Sequence, residues 1–122
     1  ILRFRLQIML AKKYKLTGTK DYTNVQEHGS VYQSKNFGVA FLKREDENPS
    51  RYGFIVSTKI AKEAVERNRV RRILSDAVRI NTIGLVPGYD VVFLAKTSII
   101  RVSTVDLMKE VVSALKGAGL MK

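Results

Sequence analysis

Apolar residues recur along the chain with two spacings, and the spacing changes from segment to segment. Alternating or continuous apolar runs predict β-strands at 30–33, 37–43, 52–56 and 89–95. Apolar positions three or four residues apart predict helices at 20–27, at 60–80 and after Ser103. The predicted element order is therefore α-β-β-β-α-β-α, which indicates a chain of the α/β (α+β) class.

Local signals place the ends of two of these helices. Thr19 is a candidate N-cap for the first helix, and Gly29 is expected to end it. Ser103, with Asp106 three residues later, resembles a capping box and is expected to open the last helix. Both helices should therefore have well-defined starts.

The strand-forming segments also indicate how the sheet is arranged. A polar turn at 45–50 separates two apolar runs, which predicts a hairpin or meander between them. The run at 91–95 is apolar at every position, so both faces of that strand should be buried. We therefore predict that the strand at 89–95 lies in the interior of the sheet.

The helix predicted at 60–80 has an apolar side and a basic side. At about 100° per residue, the apolar side consists of Val70, Ile73, Leu74, Ala77 and Val78. The opposite side and its flanks consist of Asn68, Arg69, Arg71, Arg72 and Arg79. Each guanidinium can hold phosphate oxygens through two N–H donors at once. This helix, called the basic helix below, is expected to combine a buried stripe with a phosphate-binding surface.

Net charge strengthens that expectation. The 122 residues include 22 Lys and Arg against 11 Asp and Glu, which leaves a net charge of +11 and is typical of nucleic-acid-binding proteins. Too few carboxylates are available to pair with the arginines. No apolar run approaches the ~20 residues of a membrane-spanning helix, so a membrane partner is not expected. The absence of cysteine excludes disulfides and thiolate metal sites and is compatible with a cytoplasmic location.

Residue groups suited to catalysis by the protein itself are lacking. The single histidine, His28, stands beside Gly29 and is interpreted as an exposed turn residue rather than a general base. The carboxylates at 45–47 adjoin Asn48 and Pro49, so a solvated turn explains them better than a metal site. We therefore predict no catalytic and no metal-binding residues.

One stretch of the basic helix points to a family. Arg67-Asn68-Arg69-Val70-Arg71-Arg72 has the order and spacing of an Arg-Asn-Arg, any residue, Lys/Arg-Arg motif. In this the chain resembles the protein subunit of bacterial ribonuclease P. Other similar features are the Ser57-Thr58-Lys59 step into the helix, Ala64, the Pro-Gly-Tyr-Asp sequence at 87–90 and the closing amphipathic helix. The resemblance extends over residues 10–115.

The resemblance implies a fold and a role. The fold would be a two-layer sandwich with a mixed four-stranded sheet and a left-handed crossover through the basic helix, although right-handed crossovers are the general rule. The catalytic RNA, with Mg²⁺ bound chiefly by that RNA and the substrate, would remove the 5′ leader of precursor tRNA. One protein per RNA would bind the catalytic RNA and the leader, and would cut nothing itself.

Site residues follow from the resemblance position by position. The RNA-binding residues would be Arg67, Asn68, Arg69, Arg71 and Arg72. The leader-binding cleft, between the first helix and the sheet, would contain Tyr22, Phe37, Ser57, Thr58, Lys59 and Lys62. An aromatic ring can stack on an unpaired base of any identity, although Tyr22 and Phe37 could instead belong to the core. Departures from the family's pattern are Gln26, Thr58 and Ser75, where an aromatic, a lysine and a basic residue are common.

Two other binding functions explain part of the sequence. A structural RNA-binding protein of the ribosomal type would share the charge and the α/β pattern, but it would not explain the six-residue motif. A helix-turn-helix DNA-binding protein would not surround its basic helix with strands. We interpret 9–122 as a single RNA-binding domain and 1–8 as an N-terminal extension that precedes a natural start at Met9.

Overall fold

The secondary structure follows the predicted order in a computed structural model that describes residues 12–122. The helices are α1 (Thr19–His28), α2 (Ala64–Ile80) and α3 (Thr104–Gly117). The strands are β1 (Ser30–Gln33), β2 (Phe37–Lys43), β3 (Arg51–Ile55) and β4 (Tyr89–Ala95). Short 3-10 helices, which were not predicted, lie at Lys12–Tyr14, Thr82–Gly84 and Thr97–Arg101. No helix in the described range has the length and apolar character needed to cross a bilayer, and the extension assigned to 1–8 lies outside that range.

The ends of α1 and α3 test the predicted caps. The residue that precedes α1 is Gly18, at φ 88°, and no side chain among the residues described caps the helix. The prediction of Thr19 as N-cap was therefore wrong, because Thr19 is itself the first helical residue. The expected stop at Gly29 is confirmed. At α3 the Ser103 hydroxyl accepts a hydrogen bond from the Asp106 N–H at 3.2 Å, which confirms the predicted cap.

The sheet is mixed, with strand order β1-β2-β4-β3. β1 and β2 form an antiparallel hairpin, β2 and β4 are antiparallel, and β3 and β4 are parallel. The interior position of β4 is confirmed. The meander that would have paired β2 with β3 was wrong, because β4 lies between them and α2 connects β3 to β4. The left-handed sense of this crossover stays a prediction.

Helices cover both faces of the sheet. The main core lies between the sheet and helices α2 and α3, and it includes the whole predicted stripe of the basic helix: Val70, Ile73, Leu74, Ala77 and Val78. A smaller cluster on the other face joins α1 to the sheet through Leu16, Val25, Ala40 and Val92, with Tyr22 and Ile55 packed against it. The two faces of β3 therefore contact different helices, and this places β3 beside both α1 and α2.

Candidate nucleic-acid interface

The segment between β3 and α2 carries the exposed residues predicted for the leader-binding cleft: Ser57, Thr58, Lys59 and Lys62. The segment forms a turn, in which the Ala61 N–H donates to the Ser57 carbonyl at 3.4 Å. Helix α2 consequently begins at Ala64 and not at 60 as predicted. The turn lies against the basic helix, because Arg67 Nη1 donates to the carbonyl oxygens of Ala61 and Lys62 at 2.9 and 2.7 Å.

Backbone carbonyls occupy part of the guanidinium surface of the motif. Besides the two bonds made by Arg67, Arg69 Nη2 donates to the Ile100 carbonyl at 3.2 Å, and Arg71 Nη2 donates to the Val56 carbonyl at 3.2 Å. Carboxylates lie beside two arginines of the basic helix, Glu66 beside Arg69 and Asp76 beside Arg79. The carbonyl partners could not be read from the sequence. Because a guanidinium has five N–H donors, each of these arginines keeps donors for phosphate oxygens.

Arg72 and Asn68 are the exposed members of the motif. Asn68 Oδ1 accepts a hydrogen bond from Arg71 Nη1 at 3.0 Å. Among residues 12–122, no hydrogen bond or ion pair involves the Arg72 guanidinium. Arg69 lies 3.5 Å from Glu66 in a half-exposed pair, which stabilises the helix little. The positive charge of Arg72 is thus the one most openly presented by the motif.

A cleft of about 450 Å³ lies beside β3 and is lined by residues of α1 and the basic helix. Its cationic lining residues are Lys15, Arg71 and Arg72. Its aromatic lining residues are Tyr22, Tyr52 and Phe54. Thr17 and Ser75 add hydroxyl groups, and no carboxylate in the described part of the chain lines the cleft. The cleft therefore combines positive charge with aromatic rings, as single-stranded nucleic-acid sites do.

Both sides of this cleft are positioned by β3. The Leu16 N–H donates to the Tyr52 carbonyl at 2.9 Å, so the segment before α1 runs along the strand edge and brings Lys15 to the cleft. On the other side, the bond from Arg71 to the Val56 carbonyl holds the basic helix to the end of the same strand. Burial raises the pKa of the Tyr52 phenol to about 12, so at physiological pH this side chain is neutral.

The predicted aromatic residues of the leader-binding cleft are placed differently. Tyr22 is partly exposed and lines the cleft together with Arg71 and Arg72. Phe37 is fully buried in the main core on the opposite face of the sheet, with its ring centroid 5.4 Å from that of Phe93. The proposed stacking role of Phe37 is therefore wrong, because its buried ring has no face to offer to a base. The alternative of a core residue is confirmed.

Several cleft residues were missed by sequence reasoning. Lys15 reaches the cleft only because its segment pairs with the edge of β3. Phe54 and Tyr52 read as ordinary strand residues, and no local pattern indicates that their strand lies at the edge of the sheet. Ser75 was noted only as a departure from a basic position. A knowledge of the strand order would have identified Phe54, since an aromatic residue on an edge strand is accessible from the side.

Two arginines bind the one buried carboxylate among the described residues, that of Asp90. The buried Asp90 carboxylate accepts hydrogen bonds from Arg44 Nη1 at 2.7 Å and from Arg51 Nε and Nη2 at 2.9 and 2.8 Å. Within the described part of the chain, no three His, Asp or Glu side chains are grouped so that they could hold a metal ion.

Comparisons with known proteins agree on one family. The family model described as Ribonuclease P matches residues 10–119. The ribonuclease P protein component of Clostridioides difficile is 36% identical over 97 residues, covering 79% of this chain and 83% of the relative. That of Carboxydothermus hydrogenoformans is 41% identical over 85 residues, covering 68% and 72%. The solved structure of the Staphylococcus aureus protein superposes with a TM-score of 0.84 at 20% identity, over 91% of this chain and 100% of that one. The Thermotoga maritima structure gives 0.77 at 24% identity, over 84% and 96%; at these identities both structures show a shared fold.

Proposed function

The chain belongs to the ribonuclease P protein family, and on that basis we propose that it binds a catalytic RNA and the 5′ leader of precursor tRNA within a ribonuclease P. The observation that carries the proposal is the cleft beside β3, which Tyr22, Arg71 and Arg72 line together and which no carboxylate among residues 12–122 lines. Such a site suits a single strand whose sequence varies.

Leader binding would use stacking and charge together. A base of the leader stacks on the exposed part of the Tyr22 ring, which contributes about 1–3 kcal/mol whatever the base. The adjoining phosphate lies against Arg72 and Lys15, whose attraction is equally independent of sequence. The leader is thereby held beside the basic helix, close to the RNA that the helix binds.

Catalytic RNA would contact the exposed side of the basic helix. Asn68 and Arg72 present their side chains to solvent, and the remaining donors of Arg67 and Arg69 flank them. Lys59 and Lys62, predicted for the leader-binding cleft, are not among the residues that line the cleft beside β3. We propose that their exposed turn instead extends the RNA-binding surface at the start of α2. Neutralising RNA phosphates in this way lowers the Mg²⁺ concentration that the folded RNA needs, since both act on the same charge.

Phosphodiester hydrolysis is assigned to the RNA subunit. The carboxylates described above are either paired with arginines or scattered, so residues 12–122 do not fit a Mg²⁺ site. We assign the metal to the RNA and the substrate. We also propose that one protein binds each RNA and that the complex is cytoplasmic. The protein contributes binding and orientation.

Reconstitution tests this function. Adding the protein to ribonuclease P RNA at low Mg²⁺ should increase the rate of leader removal, while the protein alone should cleave nothing. A ribosomal-type RNA-binding protein would bind RNA without accelerating cleavage, and that result would overturn the proposal. Heat-denatured protein at the same concentration controls for nonspecific charge effects.

A further inference from the structure

The Tyr22 ring packs directly against the backbone of Gly53, which has no side chain. Along β3, Ile55 packs in the cluster beneath α1, and Gly53, two residues earlier, shares that face. A Cβ atom built on Gly53 would lie 2.6 Å from Tyr22 Cε1 and closer still to Cζ and Oη. No atom can occupy that position while the ring stays where it is.

Backbone conformation does not require glycine at this position. Within residues 12–122, the glycines with positive φ are Gly18, Gly88 and Gly119, so the backbone of Gly53 is one that alanine can adopt. The space for Tyr22 is therefore the reason that the structure offers for a glycine here. By contrast, a Cβ on Gly38 of β2 would meet only the flexible side chain of Gln33, at 3.3 Å.

The same face of β3 also contacts α1 at Asp21, the residue before Tyr22. Arg51, two residues before Gly53, lies 3.7 Å from the carboxylate of Asp21, which precedes Tyr22 in the helix. Arg51 is itself held by two hydrogen bonds to the buried Asp90. β3 thus restrains Asp21 by charge and Tyr22 by contact, on the side of α1 that borders the cleft.

We propose that Gly53 is a positioning residue for leader binding, which keeps the Tyr22 ring in its place in the cleft that Arg72 also lines. This rests on the proposed function. The distance between a base and its own phosphate is limited by the nucleotide's covalent structure. A ring displaced by a methyl group on β3 would therefore no longer stack on a base whose phosphate is bound by Arg72.

The test compares leader-bearing precursor tRNA with mature tRNA in the reconstituted holoenzyme, using the ratio of the two affinities. Tyr22→Ala should lower the ratio at least about fivefold, the lower limit for loss of one stacked base. Gly53→Ala should lower it by a similar factor and should add nothing in the Tyr22→Ala background. The matched control, Gly38→Ala, should leave the ratio unchanged.

The outcomes separate this inference from the function beneath it. If Tyr22→Ala lowers the ratio and folded Gly53→Ala does not, the positioning role is overturned and the leader-binding cleft stands. If Tyr22→Ala also leaves the ratio unchanged, leader binding by this cleft fails and the inference with it. Should Gly53→Ala unfold, the double variant, which lacks the clashing ring, should recover its melting temperature. If the double variant does not recover its melting temperature, the proposed packing of Tyr22 against Gly53 is overturned.

Discussion

Arg69 Nη2 donates a hydrogen bond to the carbonyl oxygen of Ile100 at 3.2 Å. The contact joins the basic helix to the 3-10 helix Thr97–Arg101 that follows β4. An arginine of the family motif therefore has a structural partner as well as a proposed RNA partner. Arg72 in the same helix is exposed and, among residues 12–122, makes no such contact, so the two arginines should respond differently to substitution.

Arg72→Ala should weaken RNA binding without changing stability. Loss of one phosphate contact is expected to lower the slope of log K against log salt by about one. Binding of the catalytic RNA measured across a salt series gives the slope, and thermal unfolding gives the stability. Lys116→Ala, an exposed charge loss in the last turn of α3, is the matched control. Equal slopes for the two variants would contradict a phosphate contact at Arg72.

Arg69→Ala should affect both properties. The lost bond leaves the Ile100 carbonyl without this donor, and the free energy of unfolding should fall by about 0.5–1.5 kcal/mol. RNA affinity should also fall, with a smaller salt slope, as for Arg72→Ala. Urea denaturation measures the stability change. A variant with wild-type stability and weakened RNA binding would show that the bond to Ile100 contributes nothing to the fold.

Glu110→Ala should destabilise the protein without a direct effect on RNA binding. The Glu110 carboxylate accepts hydrogen bonds from Ser34 Oγ at 2.6 Å, from the Asn36 N–H at 2.9 Å and from Asn36 Nδ2 at 2.5 Å. Asn36 is buried, so the loss of its acceptor should cost about 1–3 kcal/mol. Urea denaturation gives this value. Ser34→Ala, which removes only one donor, should lower the free energy of unfolding by less. An equal loss would show that the two hydrogen bonds from Asn36 do not stabilise the fold.

Alkaline pH should destabilise the protein through Tyr52. Burial raises the pKa of this phenol to about 12 from 10.0, so the folded state favours the neutral form. The part of the unfolding free energy that is linked to the neutral phenol is fully present below pH 10 and is lost as the pH rises through 12. By linkage it amounts to about 2–3 kcal/mol. Among residues 12–122 the buried Tyr52 hydroxyl has no hydrogen-bond partner, so between pH 10 and 12 the unfolding free energy of the wild type should fall relative to that of Tyr52→Phe. A constant difference across that range would show that Tyr52 is not protected from ionisation.

Local structure was predictable where the determining pattern is local. The bounds of β1, β2 and β4 follow directly from runs of apolar residues, and β3 was misplaced by one residue. The start of α2 was wrong because Ile60 continues the helical spacing. Its segment instead closes a turn onto the Ser57 carbonyl, and the two bonds from Arg67 hold that turn in place.

Functional placement was predictable only in part. Tyr22 and Phe37 both lie in elements that were correctly predicted, yet one lines the cleft and the other lies in the core. Alternation along β2 shows which residues share a face with Phe37. It does not show which helix covers that face.

The sequence by itself determined the element order, the buried stripe of the basic helix, the net charge of +11 and the six-residue motif. These are properties of neighbouring residues, which periodicity and charge express directly. Only the tertiary structure decided that β4 lies between β2 and β3, that the motif arginines donate to distant carbonyls, and that Gly53 supports Tyr22. Each of these depends on contacts between residues far apart in the chain, and such contacts form only when the sheet and its helices pack together.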